Sequence, residues 1–157
     1  MAKNKEGTSE VSISKVALKV PIKASRKDVW KAMVEDMPLW WRKDFYASPR
    51  TKRFVLEPTL GGKMYEDAGD GTGLTWYTVW GIEPQKYLYL IGHLTPAFGG
   101  PATSVLEITL ADDGKNTFLE LSDGILGKAT DPSEKEAGWK MLFEEGLKGF
   151  IEMKSKQ

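Results

Sequence analysis

The 157-residue chain carries 22 Lys and Arg against 22 Asp and Glu, one His and no Cys. Without thiols it can form no disulfide, thiolate nucleophile or Cys-ligated metal site, and one imidazole excludes a multi-His metal centre within one chain. A formal net charge of zero gives no sign of nucleic-acid binding, which depends on an excess of Lys and Arg. We expect no metal, no cofactor and no nucleic-acid partner.

The polar residues 1–10 are predicted to form a disordered N-terminal tail, and residues 11–157 a single domain. No apolar run approaches the roughly 20 residues of a membrane-spanning helix. The first ten residues also lack the apolar stretch of a secretory signal. These features predict a cytoplasmic protein without a membrane span.

Charge is uneven along the chain. Residues 1–31 contain eight Lys or Arg and three Asp or Glu, whereas residues 64–114 contain one Lys and seven acidic residues. Either strands and loops face solvent with different signs, or the basic beginning is a surface for an acidic protein partner. The sequence leaves both interpretations open.

The first predicted element is a half-buried strand over Val11–Ile22, where apolar residues recur at every second position. Ser25 and Asp28 then form a capping box that starts a short helix. Pro38 ends this pattern and begins a second short turn of helix, which carries Leu39–Trp41.

Six short β-prone runs follow, each separated from the next by residues suited to tight turns. The predicted strands are 53–57, 63–67, 74–83, 86–94, 103–111 and 116–123. Because only short turns connect them, they predict an antiparallel meander and not a parallel sheet.

The longest periodic element ends the chain. Asp131 and Pro132 are typical of a helix start, and Glu134 occupies the capping-box position. Apolar residues then recur at steps of three and four: Trp139, Leu142, Phe143, Leu147, Phe150 and Ile151. About 22 residues make a helix roughly 33 Å long, enough to lie across the whole sheet.

This order of elements predicts an α+β layer, a twisted antiparallel sheet of seven strands with helices on one face. A long helix would touch such a sheet best near its middle and leave an apolar pocket at an end. Gly146 lies on the predicted inner face of the helix, and Gly149 follows it. Glycines there indicate either close helix–sheet packing or space for a ligand.

Several short motifs, spread over about residues 12–153, together resemble one protein family. They are Ile22–Ala32 at the strand-to-helix entry, Leu39–Trp41, Leu60–Met64, Gly81–Leu88, Asn116–Leu121, and Gly138–Trp139 with Leu147–Lys148 in the last helix. The chain resembles the START-like (SRPBCC) superfamily, and within it the homologues of the heat-shock-protein-90 ATPase activator, which are related to polyketide cyclases.

The resemblance implies the helix-grip fold, in which a curved seven-stranded antiparallel sheet wraps around a long C-terminal helix and two short helices follow the first strand. It also implies a cavity between that helix and the sheet for a hydrophobic or aromatic small molecule. Two other functions stay open: a cyclase- or hydrolase-like enzyme on a polyketide-like substrate, and a chaperone ATPase-activator type of protein-interaction module.

Regular alternation along residues 74–83 would place Trp76, Thr78 and Trp80 on one face, which we expect to point inward, although a bulge would reverse part of this pattern. Such tryptophans either pack in the core or line an aromatic pocket.

Asp123 would also turn inward, by alternation with Leu119 and Leu121. In many members of the resembled family this position is polar, often His. Asp123 either accepts a hydrogen bond at the pocket mouth or caps a turn with Gly124. His93 is either structural, a ligand contact or, least supported by its neighbours, a general base.

No catalytic residue and no metal ligand is predicted. The predicted ligand-binding residues are Trp40, Trp41, Trp76, Trp80, His93, Phe98, Leu121, Asp123, Phe143 and Leu147.

Overall fold

A computed structural model of the chain describes residue 7 and residues 10–128 and 131–155. The strands are β1 Val11–Ile22, β2 Arg53–Leu56, β3 Lys63–Asp67, β4 Gly73–Glu83, β5 Tyr87–Leu94, β6 Ala102–Asp113 and β7 Asn116–Lys128. The helices are α1 Arg26–Val34, α2 Met37–Trp40, α3 Pro132–Lys140 and α4 Gly149–Lys154, with 3₁₀ turns at Lys43–Phe45 and Pro96–Phe98. The predicted tail lies, except for Gly7 and Glu10, outside the described residues.

The seven strands form one antiparallel sheet in the order β1-β7-β6-β5-β4-β3-β2. Strands β2 to β7 follow one another as a meander, as their short connections predict, and β1 joins the sheet beside the last strand. The buried residues of the strands face the C-terminal helix across the concave side. This is the α+β architecture that the sequence predicts, with two short helices after the first strand.

Strand β7 continues five residues beyond its predicted end. Asp123 pairs with Val16 of β1 on one side and with Leu106 of β6 on the other. It therefore lies in the middle of a paired strand, and the interpretation of Asp123 as a turn cap is wrong. The hydrogen-bonded partners on both sides override the turn propensity of the Asp-Gly pair.

The C-terminal helix is not uniform. Between α3 and α4, Met141–Lys148 forms a π-helical segment. The wider turn is consistent with the burial of both Leu142 and Leu147, which are five residues apart. The Asp131 carboxylate caps the helix by accepting a hydrogen bond from the Ser133 amide at 2.9 Å.

The core is closed where the middle of the helix meets the sheet and α2. The Trp41 ring stacks on Phe54 with ring centroids 4.0 Å apart, and the Trp40 indole donates to the Ala32 carbonyl at 2.8 Å. A β-carbon added at Gly146 would lie 3.3 Å from the Trp40 carbonyl oxygen. Gly146 thus serves close packing, and of its two interpretations the one that leaves space for a ligand is wrong.

The two glycines of the C-terminal helix should respond oppositely to substitution. Gly146→Leu forces a side chain against Trp40 and should lower the free energy of unfolding by about 1–3 kcal/mol. Gly149→Ala meets nothing nearer than the Glu144 carbonyl at 4.0 Å, so its higher helix propensity should raise that free energy by up to about 1 kcal/mol. Urea unfolding measures both, and equal effects would contradict the packing described here.

Candidate functional site

Strand β4 has two register shifts, and the first sets the direction of its aromatic residues. Against β3, Met64 pairs with Tyr77 and Tyr65 with Thr75, so Trp76 is an extra residue. This bulge brings Trp76 and Tyr77 to the same, concave side, where Tyr77 is buried and Trp76 packs against the core.

The second shift lies between Val79 and Gly81, and it leaves Trp80 without a partner on β5. Trp80 is 69% exposed. Trp80 alternates with the buried Tyr77 and Val79, so the bulge at Trp76 has already reversed the predicted face, and the prediction that Trp80 points inward is wrong.

A cavity of about 470 Å³ lies between the concave face of the sheet and the beginning of the C-terminal helix. It opens at the end of the helix where α3 starts, away from the tightly packed contact at Gly146. Its apolar walls include Phe45, Leu74, Trp76, Ile125, Trp139 and Leu142.

Four polar side chains form a continuous hydrogen-bonded chain along this cavity. The Tyr77 hydroxyl lies 2.7 Å from Ser104 Oγ, and Ser104 donates to Asp123 Oδ1 at 2.6 Å. The Trp139 indole donates to Asp123 Oδ2 at 2.9 Å. All four residues are buried, and they join β4, β6, β7 and α3. We call this set the Tyr77–Trp139 chain.

Burial and charge both act on the phenol of this chain. Burial raises the pKa of Tyr77, the negative charge of Asp123 raises it further, and the hydrogen bond to Ser104 opposes them. Tyr77 therefore stays neutral over the ordinary pH range. Within the described parts of the chain, Asp123 makes no ion pair.

The mouth of the cavity is lined by exposed residues, among them His93, Phe98 and Glu134, together with the half-buried Lys135. His93 Nδ1 lies 3.0 Å from Thr103 Oγ1. The imidazole of His93 is therefore hydrogen-bonded to the Thr103 hydroxyl and not to Asp123.

A second buried carboxylate holds one wall in place. Glu66 is fully buried and accepts hydrogen bonds from the Ala47 and Ser48 amides, from Thr51 Oγ1 at 2.5 Å and from the Trp76 indole at 2.6 Å. It thereby fixes the segment after Phe45 and the rotamer of Trp76, both of which border the cavity. Burial and the charge of Glu66 raise the pKa of the neighbouring Tyr46.

The predicted ligand-binding residues fall into three groups. Those that border the cavity are Trp76, His93, Phe98 and Asp123. Those that are packed in the core and do not line the cavity are Trp40, Trp41, Leu121, Phe143 and Leu147. Trp80 alone is on the solvent side. The five core residues are buried in the hydrophobic core, where their side chains pack against one another and their neighbours.

Sequence reasoning missed three members of the polar chain. Ser104 carried a usable signal, because alternation with the buried Leu106 and Ile108 places its hydroxyl on the concave face. Trp139 was predicted on the inner face of the helix, but without its role. Tyr77 could not be found, since its direction depends on the bulge.

No cluster of three or more His, Asp or Glu side chains suited to a metal ion occurs in the described parts of the chain. The helices formed by those same residues are too short or too polar to cross a membrane.

No protein-family model matches this chain, and no curated protein matches its sequence. Solved structures do share its fold. The Aha1 dimer from Colwellia psychrerythraea is 17% identical over 88% of this chain and 96% of that chain, with a TM-score of 0.64. The AHSA1-like protein from Aeromonas hydrophila is 16% identical over 92% and 96%, with a TM-score of 0.63.

DynU16, a protein of the dynemicin biosynthetic locus, is 22% identical over 88% of this chain and 47% of that chain, with a TM-score of 0.62. The resemblance predicted from the sequence is thus confirmed at the level of the fold, which this chain shares with Aha1-like proteins and with a protein from a biosynthetic locus.

The anchoring role of Glu66 can be tested by Glu66→Gln. An amide NH₂ would then face backbone or side-chain donors, so the free energy of unfolding should fall by about 1.5–3 kcal/mol. The matched substitution Glu107→Gln, at an exposed position of β6, should change it by less than about 0.5 kcal/mol. Urea unfolding compares the two, and equal losses would contradict the anchor.

The raised pKa of Tyr77 predicts a pH dependence of stability. Unfolded tyrosine ionises near 10.0 whereas folded Tyr77 stays neutral, so its contribution falls as the pH rises above 10. From pH 8 to 10.5, the free energy of unfolding should fall by about 0.8 kcal/mol less in Tyr77→Phe than in the wild type. Urea titrations at both pH values test this, and identical decreases would show that Tyr77 ionises freely.

Proposed function

We propose that the chain is a binding module that holds a hydrophobic or aromatic small molecule in the cavity between the C-terminal helix and the sheet. One observation carries this proposal: a space of about 470 Å³ with apolar, aromatic walls and a single group of buried polar side chains. Sites for small molecules typically have roughly 300–1,000 Å³ and this division between apolar walls and a few polar groups.

The close packing around the cavity supports a preformed cavity and argues against a loosely packed core. Next to it, Gly146 and Trp40 are in close contact and Trp41 is stacked on Phe54. Glu66 uses four donor groups to hold the segment that borders the opening. An apolar occupant would gain roughly 25 cal/mol for each Å² of apolar surface that leaves water, before the cost of ordering it.

An enzyme acting on a polyketide-like substrate would use the same cavity, and the DynU16 neighbour comes from a biosynthetic locus. The side chains at the cavity give less support to catalysis than to binding. His93 is hydrogen-bonded to Thr103, and both oxygens of Asp123 accept hydrogen bonds from Ser104 and Trp139. A chaperone-type interaction, suggested by the Aha1-like neighbours, would use the surface and does not account for the cavity.

Binding can be measured with N-phenyl-1-naphthylamine, an uncharged dye whose fluorescence rises in apolar surroundings. The wild type should give a saturable rise that corresponds to one dye per chain. Gly138→Leu should weaken binding at least tenfold, because Gly138 borders the cavity and the new side chain would occupy it. Ala137→Leu is the matched control, since Ala137 is exposed on the same helix and should leave binding unchanged.

Two results would contradict the proposal. One is the absence of saturable binding by the folded wild-type protein. The other is an equal loss in the Gly138→Leu and Ala137→Leu variants, which would place the dye elsewhere on the helix.

A further inference from the structure

We infer that the natural occupant of the cavity presents a hydrogen-bond donor, a protonated amine in first place and a hydroxyl in second, to the Tyr77–Trp139 chain, and that molecules presenting a carboxylate there are disfavoured. This inference rests on the proposed binding function and adds to it the chemical class of the ligand.

The donors of the polar chain are all used within it. Ser104 gives its only proton to Asp123 Oδ1, so the hydrogen of the Tyr77–Ser104 bond must come from Tyr77. The indole N–H of Trp139 is given to Asp123 Oδ2. Only acceptor lone pairs on the phenol and carboxylate oxygens then remain for a ligand.

Charge points the same way. Asp123 is only 2% exposed, and none of the ion pairs of the described residues includes it. A buried carboxylate without a cation is costly, and a ligand ammonium group would supply the missing charge. At the mouth, Glu134 and Lys135 carry opposite charges, so the mouth adds little net field.

The walls suit a cation as well. Trp76, Trp139 and Phe45 border the cavity. The faces of aromatic rings attract ammonium groups, most strongly those of tryptophan. An aromatic or aliphatic body with one amine therefore satisfies both the walls and the polar chain.

The variant Asp123→Asn should reverse the direction of the hydrogen bonds in the Tyr77–Trp139 chain. Its amide oxygen must face the Trp139 N–H, so its NH₂ group must donate to Ser104. Ser104 then donates to Tyr77, and the Tyr77 hydroxyl turns its proton towards the cavity. The same cavity would now offer a donor and no charge.

Three probes with one naphthalene ring separate these chemistries: 2-(1-naphthyl)ethylamine, 2-(1-naphthyl)ethanol and 1-naphthylacetate. Their affinities are measured at pH 7 by displacement of N-phenyl-1-naphthylamine. For the wild type we expect the amine to bind at least tenfold more tightly than the carboxylate, with the alcohol between them. In Asp123→Asn the amine and the carboxylate should exchange places.

A matched control and a second variant accompany this test. Asp113→Asn changes an exposed acidic residue of the β6–β7 hairpin and should keep the wild-type order. If Asp123→Asn does not fold, Ser104→Ala serves instead. It removes the proton that Asp123 Oδ1 accepts and leaves the charged carboxylate with a freer oxygen, so the preference for the amine over the carboxylate should grow at least threefold. A preference that shrinks or disappears in this variant would overturn the inference.

The outcomes separate the inference from the proposed function. Equal affinities, or tightest binding of the carboxylate by the wild type, would overturn the inference and leave a cavity that binds small molecules. Failure of the dye itself to bind would overturn the proposed function. An unchanged order in a folded Asp123→Asn variant would also overturn the inference, since it would place the probes away from the polar chain.

Discussion

The buried carboxylate of Asp123 links the elements on which the cavity depends. It accepts one hydrogen bond from Ser104 of β6 and one from Trp139 of α3, and Ser104 extends the link to Tyr77 of β4. A buried acidic group that lost these donors would be strongly destabilising. The beginning of the C-terminal helix is thereby held at a fixed place over the sheet, with the cavity beside it.

The two buried carboxylates of the described residues, Glu66 and Asp123, differ in how many of their hydrogen-bond acceptor sites the protein occupies. Glu66 accepts from four donor groups, two of them backbone amides, and so has its acceptor capacity filled by the protein. Asp123 accepts from two donors and borders a space of about 470 Å³. Glu66 therefore acts as an anchor for the wall, whereas Asp123 keeps lone pairs available to an occupant. This contrast supports the assignment of the ligand end to the Asp123 side.

Most of the fold followed from local patterns. Strand β1 and strand β3 have the bounds that alternation and turn residues predict, and the Ser25 side chain caps α1 by accepting from the Asp28 amide at 3.2 Å. The later strands were predicted at the right places, because short turns leave an antiparallel meander as the simplest arrangement. The inward direction of Asp123 also followed from alternation, and its burial confirms it.

The cavity itself was harder to predict, because its position depends on departures from regular geometry. The bulge at Trp76 turns Tyr77 inward and Trp80 outward, and no sequence period encodes an unpaired residue. The π-helical segment, which follows Trp139 in the chain, changes which residues of the helix face the sheet after that point. Phe143 and Leu147 were predicted to line a cavity, but their large side chains are buried and fill the space between helix and sheet. The open volume lies nearer the start of the helix, beside Trp139.

The most direct test of the account is nuclear magnetic resonance of the indole N–H groups during titration with 2-(1-naphthyl)ethylamine. The Trp139 indole proton, bonded to Asp123, and the Trp76 indole proton, bonded to Glu66, border the cavity, whereas Trp80 lies on the solvent side. We predict saturable shifts of the Trp139 and Trp76 signals and a stationary Trp80 signal. A shift of Trp80 alone, or no saturable shift of Trp139, would contradict a ligand site at the Tyr77–Trp139 chain.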